Sequence, residues 1–118
     1  VEKSWLHAMD LAAAVYFIIS KAPNGEIYNA GPAKATSIMR IVELIGEEAG
    51  VPLENFVEFA PGRATEDQTY LLDSSKISDE LGWKPTIDLR TGIREMVDWA
   101  RQYLNDLSQA PKRFSLRS

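Results

Sequence analysis

The chain contains no cysteine and only one histidine. The first absence excludes disulfides and thiolate-bound metal, and it fits a reducing, cytoplasmic setting. The second leaves His7 without the partners that a metal site or a catalytic triad requires. No stripe of basic residues offsets the formal net charge of −4. Binding to a nucleic-acid backbone needs clustered cations, so none is expected. No apolar run is long enough for a membrane. The longest, LAAAVYFII at 11–19, is bounded by Asp10 and Lys21, whereas a spanning helix needs roughly 20 residues. No basic leader precedes that run, so it does not read as a signal peptide. The glycines never fall in the Gly-x-Gly-x-x-Gly pattern, and no tyrosine is followed four residues later by lysine. No nucleophile has a visible base. No catalytic residue, metal or bound cofactor is therefore expected in this chain alone. The chain starts at Val1 without an initiator methionine and reads as a piece of a longer protein or a trimmed one.

What remains is an ordinary globular composition. The 118 residues are 45% apolar and 25% charged, enough for one domain with a real core and too few for two. A domain of this size buries roughly 65% of its unfolded surface. Residues 1–105 are expected to form one lobe. Residues 106–118 carry Lys112, Arg113 and Arg117 against Asp106, show no periodicity, and are expected to be an irregular tail.

The pattern predicts mixed α and β structure, an α/β (α+β) lobe with about four helices and two to three short strands. SWLHAMD reads as a short strand or extended lead-in that carries Trp5 and His7 on one face. Asp10 then suits a helix N-cap. Leu11, Ala14, Val15, Ile18 and Ile19 fall at helical spacing until APNG stops the run. EIYNA, 26–30, looks like a buried strand closed by Gly31-Pro32. Thr36 or Ser37 caps the next helix, with a stripe of Ile38, Ile41, Val42, Ile45 and Ala49 and with Gly50 at its left-handed end. NFVEFA, 55–60, alternates like a strand, and YLL, 70–72, reads as a third. Asp73 or Ser74 caps a short helix ending at Leu81-Gly82. A long helix follows over about 89–104, with Leu89, Ile93, Met96, Val97, Ala100 and Leu104 on one face.

The sharpest chemical feature lies in the loop at 59–69. Arg63 follows Gly62 among turn residues, and a guanidinium fixed there can grip a phosphate or carboxylate with two parallel hydrogen bonds. The plain alternative is a surface arginine paired with Glu66 or Asp67. Those two carboxylates can accept from sugar hydroxyls, or can simply be solvated. Trp5, Trp83 and Trp99 read as packing residues. Gly46 and Gly50 form GxxxG, but beside Glu47 and Glu48 it is not a membrane motif.

Four stretches in order carry a resemblance: KSWLHAMDLAAAV, GEIYNAG, DSSKISDELGWKP and GIREMVDW. Together they resemble the C-terminal, substrate-binding part of the NAD-dependent nucleotide-sugar epimerases and dehydratases, in the extended short-chain dehydrogenase/reductase family. RATEDQTYLLD resembles the Arg-Pro-Gly-His-Asp-x-x-Tyr-x-x-Asp stretch of the dTDP-glucose 4,6-dehydratase-like branch. The resemblance implies that Arg63 binds the substrate's diphosphate and that Asp67 stands at the aspartate position. Glu66 stands where that branch has histidine. Lys3 takes the place of a second arginine near the diphosphate, keeping the charge and losing the planar fork. Ser37 falls near a position that touches the nucleotide.

The resemblance also implies what this chain leaves to the rest of the protein: the Rossmann domain, the NAD loop and the catalytic tyrosine-lysine pair. NAD is expected in the full-length protein and not on this chain. The expected partners are a nucleotide-diphosphate sugar and the missing N-terminal domain, with self-association through the face that would otherwise meet it. The expected role is to hold the nucleotide end, without catalysis by the lobe alone. The competing reading is a non-catalytic binding or protein-interaction module that retains the fold.

Overall fold

The computed structural model describes residues 1–62 and 65–112. A short strand near the N-terminus, β1 (Glu2–Lys3), ties distant parts of the chain together. It runs antiparallel to β2 (Thr36–Ser37) and parallel to β3 (Thr69–Tyr70), giving the order β2-β1-β3. In register, Glu2 faces Ser37 and Thr69, and Lys3 faces Thr36 and Tyr70. Ser4 prolongs the tie. Its N–H donates to the Tyr70 carbonyl at 2.9 Å, and its hydroxyl accepts from the Leu72 N–H at 3.3 Å.

Helix α1 (Ala8–Lys21) starts two residues before the expected cap. His7 is the N-cap, its Nδ1 accepting from the Met9 N–H at 3.1 Å. Asp10 is buried inside the first turn instead, only 3% exposed. It takes four donations there: the Thr86 N–H reaches both carboxylate oxygens (3.0 and 3.1 Å), and the Thr86 hydroxyl and the Ile87 N–H each lie at 3.0 Å. A buried carboxylate needs such partners, and a solvent-facing cap would supply fewer.

Helix α2 (Ile38–Ala49) begins and ends as the sequence predicts. The Ser37 hydroxyl accepts from the Arg40 N–H at 3.1 Å, and Gly50 closes the helix at φ 69°, where a side chain would be strained. A 3-10 turn (Leu53–Asn55) follows. Helix α3 (Ser75–Leu81) is capped by Ser74, while the neighbouring Asp73 carboxylate accepts from the Ser75 N–H at 2.9 Å. Helix α4 (Leu89–Gln102) is capped by Asp88, which accepts from the Thr91 N–H at 3.0 Å.

Two small cores result. Ala14, Ile77, Leu81 and Trp83 form the first, against Phe17, Ile18 and Tyr28. Full burial of a side chain such as Ile77 contributes about 1.5–3 kcal/mol. Ile41, Leu44 and Ile93 form the second, where α2 meets α4.

Four expectations need correction. Residues 26–30 and 55–60 are not strands. Ile27 is 82% exposed rather than buried, because no described strand lies alongside to complete a ladder. Residues after 105 are not irregular throughout: the chain turns at Tyr103 and continues as helix α5 (Leu104–Gln109). Helix α1 turns Ala13, Ala14, Phe17 and Ile18 inward, leaving Leu11, Val15 and Ile19 exposed. A helix that is apolar nearly all round offers periodicity no face to choose.

Candidate functional site

The parallel pairing of β1 with β3 brings together residues more than 60 positions apart. Lys3 and Tyr70 are register partners, and the Glu2 N–H donates to the Gln68 carbonyl at 2.7 Å. The turn before β3 is thereby fixed beside the first strand. Between them lies a hollow of about 390 Å³ lined by Lys3, Thr65, Glu66, Asp67 and Tyr70. Three of the five residues expected to contact substrate, Lys3, Glu66 and Asp67, meet there. Arg63 lies outside the described residues. Ser37 is not part of the lining; its hydroxyl caps α2.

The Lys3 ammonium faces the Glu66 carboxylate at 3.8 Å, with the lysine side chain 39% exposed and the glutamate 19%. Sequence reading missed Thr65 and Tyr70. Tyr70 was discernible as the tyrosine of RATEDQTYLLD, but only the strand register reveals that it stands beside Lys3.

A larger groove, about 920 Å³, lies elsewhere, walled by Trp5, Pro32, Leu72, Trp83 and Ile87 among others. None of the four described ones among the expected site residues lines it. Its two carboxylates, Asp73 and Asp88, are engaged at helix starts, each accepting a backbone N–H. The groove's lining also carries Lys34 and Lys84, while three of the five described residues that line the smaller hollow are charged. Among the described residues, no group of three metal-ligating side chains could hold a metal ion.

The segments that carry the resemblance hold one another. The Trp83 indole N–H donates to the Asp10 carbonyl at 3.1 Å, while the Asp10 carboxylate fixes Thr86 and Ile87 just past Pro85. Burial pushes the Asp10 carboxyl up, but donations from Ile87 and Thr86, with the nearby His7, bring it below its ordinary value. Lys76 donates to Glu26 at 2.6 Å and to the Ile27 carbonyl at 3.0 Å, and lies 4.7 Å from the Tyr28 ring centre. The Tyr28 hydroxyl donates to Glu80 at 2.8 Å, and that bond, with some burial and the adjacent carboxylates, pushes the phenol up to about 12. His7 Nε2 lies 3.1 Å from Glu95, so the lone histidine is a structural joint between α1 and α4.

Residues 1–96 match the family model described as GDP-mannose 4,6 dehydratase. The dTDP-D-glucose 4,6-dehydratase of Bos taurus is 30% identical over 115 residues, covering 93% of this chain and 32% of that protein. The dTDP-glucose 4,6-dehydratase of Xanthomonas campestris is 31% identical over 105 residues, covering 82% of this chain and 30% of that protein. Among solved structures, dTDP-glucose 4,6-dehydratase from Bacillus anthracis, in complex with NAD, superposes with a TM-score of 0.74 at 27% identity, over 84% of this chain and 31% of that one. The chain thus spans about a third of the length of the curated relatives it matches. With the family model covering most of its length and its signature segments locked together in one fold, the chain belongs to the family of NAD-dependent nucleotide-sugar epimerases and dehydratases.

Proposed function

We infer that this chain is the substrate-side portion of an NAD-dependent nucleotide-sugar 4,6-dehydratase or epimerase, and that its smaller hollow takes the nucleotide diphosphate. The observation that carries the reading is the meeting of Lys3, Glu66, Asp67 and Tyr70 around one concavity, with Arg63 two residues before Thr65 in the chain. A diphosphate there meets the Lys3 ammonium, and hydroxyl groups of the ligand meet the Glu66 and Asp67 carboxylates. Ser37 is a separate nucleotide contact in this reading. Its oxygen accepts from the Arg40 N–H, which leaves its own O–H free to donate.

The NAD site belongs to the remaining two-thirds of the relatives' length. The seven glycines of this chain stand apart at 25, 31, 46, 50, 62, 82 and 92, which does not fit a glycine-rich dinucleotide loop. NAD supplies a hydride acceptor in such enzymes. The residues here contribute by fixing the far end of the substrate, so that binding energy remote from the reacting carbon orients it.

Surface area supports a partner domain. The chain exposes 9445 Å², against about 6400 Å² for a compact monomer of its mass. Its radius of gyration is 17.4 Å, against about 13–14 Å for a compact chain of this length. Much of the apolar excess lies on α1, where Met9, Leu11, Val15, Tyr16 and Ile19 are all exposed. A covering domain, or a second copy when that domain is missing, accounts for such a face.

The test is a titration of this chain with dTDP-glucose and UDP-glucose, followed by amide resonances. Shifts at Lys3 and 65–70 are expected, with affinity falling about 10- to 100-fold in Arg63→Ala. A silent loop would sink the reading and favour the interaction module.

A further inference from the structure

Among the described residues, carboxylates outnumber cations in the hollow. Its described lining holds one cation, Lys3, and two carboxylates, Glu66 and Asp67. Lys3 cannot move its backbone to resolve this, since β1 is hydrogen-bonded on both sides, to β2 and to β3. Only its side chain can change partner.

The geometry of the ion pair allows such a change. At 3.8 Å between Nζ and Oε1, the groups stand beyond the roughly 2.7–2.9 Å of a charge-assisted hydrogen bond. The ammonium is held by attraction and not by a formed bond. Lys3 is also the partner nearer to solvent, its side chain twice as exposed as that of Glu66. Glu66 lies deeper and stays with the turn that Gln68 anchors to β1. An entering anion meets the ammonium first.

We propose that Glu66 sets the affinity of this hollow: in the free chain it holds Lys3 as an internal counter-anion, and a diphosphate binds by drawing Lys3 away from it. The proposal deepens the preceding reading and rests on it. Its chemistry is exchange of one anionic partner for another at a fixed lysine. Removing the charge of Glu66 therefore tightens binding instead of weakening it, which sets Glu66 apart from an ordinary ligand contact.

The experiment is a double-mutant cycle on this chain, with inorganic pyrophosphate and dTDP as probes and amide resonances as the readout. The parent, Lys3→Met, Glu66→Gln and the double variant are compared, with unchanged Thr69 and Tyr70 resonances confirming the fold. An exposed pair of this kind couples by an amount equivalent to up to about fivefold in affinity. Glu66→Gln should therefore bind pyrophosphate about three- to fivefold tighter, and the gain should shrink at least about twofold in the Lys3→Met background. Lys3→Met alone should weaken binding.

Glu66→Gln binding no tighter than the parent, while Lys3→Met still weakens binding, overturns the proposal and leaves the diphosphate reading standing. An equal gain with and without Lys3 also overturns it, because Glu66 then repels the ligand directly. If the parent binds neither probe, or Lys3→Met binds both as well as the parent, the diphosphate reading itself falls and takes the proposal with it. Should Glu66→Gln disturb the strand resonances, Glu66→Ala replaces it in the same cycle.

Discussion

Two helix pairings hold this chain together by opposite means. Where α1 meets α3 and the Trp83 segment, one buried carboxylate takes four donations and the joint is sealed by Ile77 and Trp83. Where α2 meets α4, the polar contacts lie at the rim, with Glu47 about half exposed and Glu48 more sheltered. Glu47 and Glu48 reach across to Arg90, and Glu48 also pairs with Arg94 at 3.1 Å. Arg101 closes the end of α2 by donating to the Ala49 carbonyl at 2.9 Å. The first joint uses few groups, gathered on a carboxylate that is itself buried although its donor Thr86 is exposed. The second uses many groups that water and salt can replace. The comparison teaches that burial, and not the number of contacts, decides which joint the fold cannot lose.

The largest effect is expected from Asp10→Ala. It leaves the Thr86 and Ile87 amides and the Thr86 hydroxyl without their acceptor, costing about 3 kcal/mol of stability, measured as the urea midpoint. The pH dependence has a definite sign. A carboxylate held below its ordinary value contributes fully above the unfolded-state pKa of about 3.9, and the contribution disappears as pH falls through the lower folded-state value. Asp10→Asn should flatten that acid limb. If Asp10→Ala instead melts like the parent, the contrast between the two joints collapses.

A smaller loss follows from Trp83→Phe, which removes the donation to the Asp10 carbonyl and part of a buried ring. About 1–3 kcal/mol is expected by thermal denaturation. Smallest is Glu48→Gln. It should shift the melting point slightly at low salt, and roughly 0.5 M sodium chloride should erase the difference by screening the pair. A Glu48→Gln loss as large as that of Asp10→Ala, and indifferent to salt, would reverse the ranking.

The same contrast explains what could be read from the sequence. Helices α2, α3 and α4 were legible from local signals: Ser37 and Gly50 around α2, Gly82 after α3, and the stripe of Leu89 with Ile93 on α4, whose cap at Asp88 and end before Tyr103 were not read. Local chemistry fixes those ends. The error at Asp10 has the same origin in reverse. Its spacing suits a cap, and only the return of Thr86 and Ile87 from 76 and 77 residues away gives it a better use. The strands expected at 26–30 and 55–60 have the right composition, but a strand also needs a neighbour, and no alternation pattern supplies one. For the candidate site, Glu66 and Asp67 were visible as polar loop residues. Lys3 came from resemblance, and Tyr70 was left out until the β1–β3 register placed it against Lys3.

The spacing of Gly46 and Gly50 has its own outcome in the fold. A methyl on Gly46 would stand 3.0 Å from the Val51 carbonyl oxygen and 3.3 Å from the Phe56 ring. The missing side chain is a notch into which the chain folds back as it leaves α2, so that Leu53 and Phe56 rest on bare helix. Residues 57–62 lead on from that fold-back. An alanine at this notch would act as a shim, tilting the chain's departure from α2 while leaving the side chains around it unchanged.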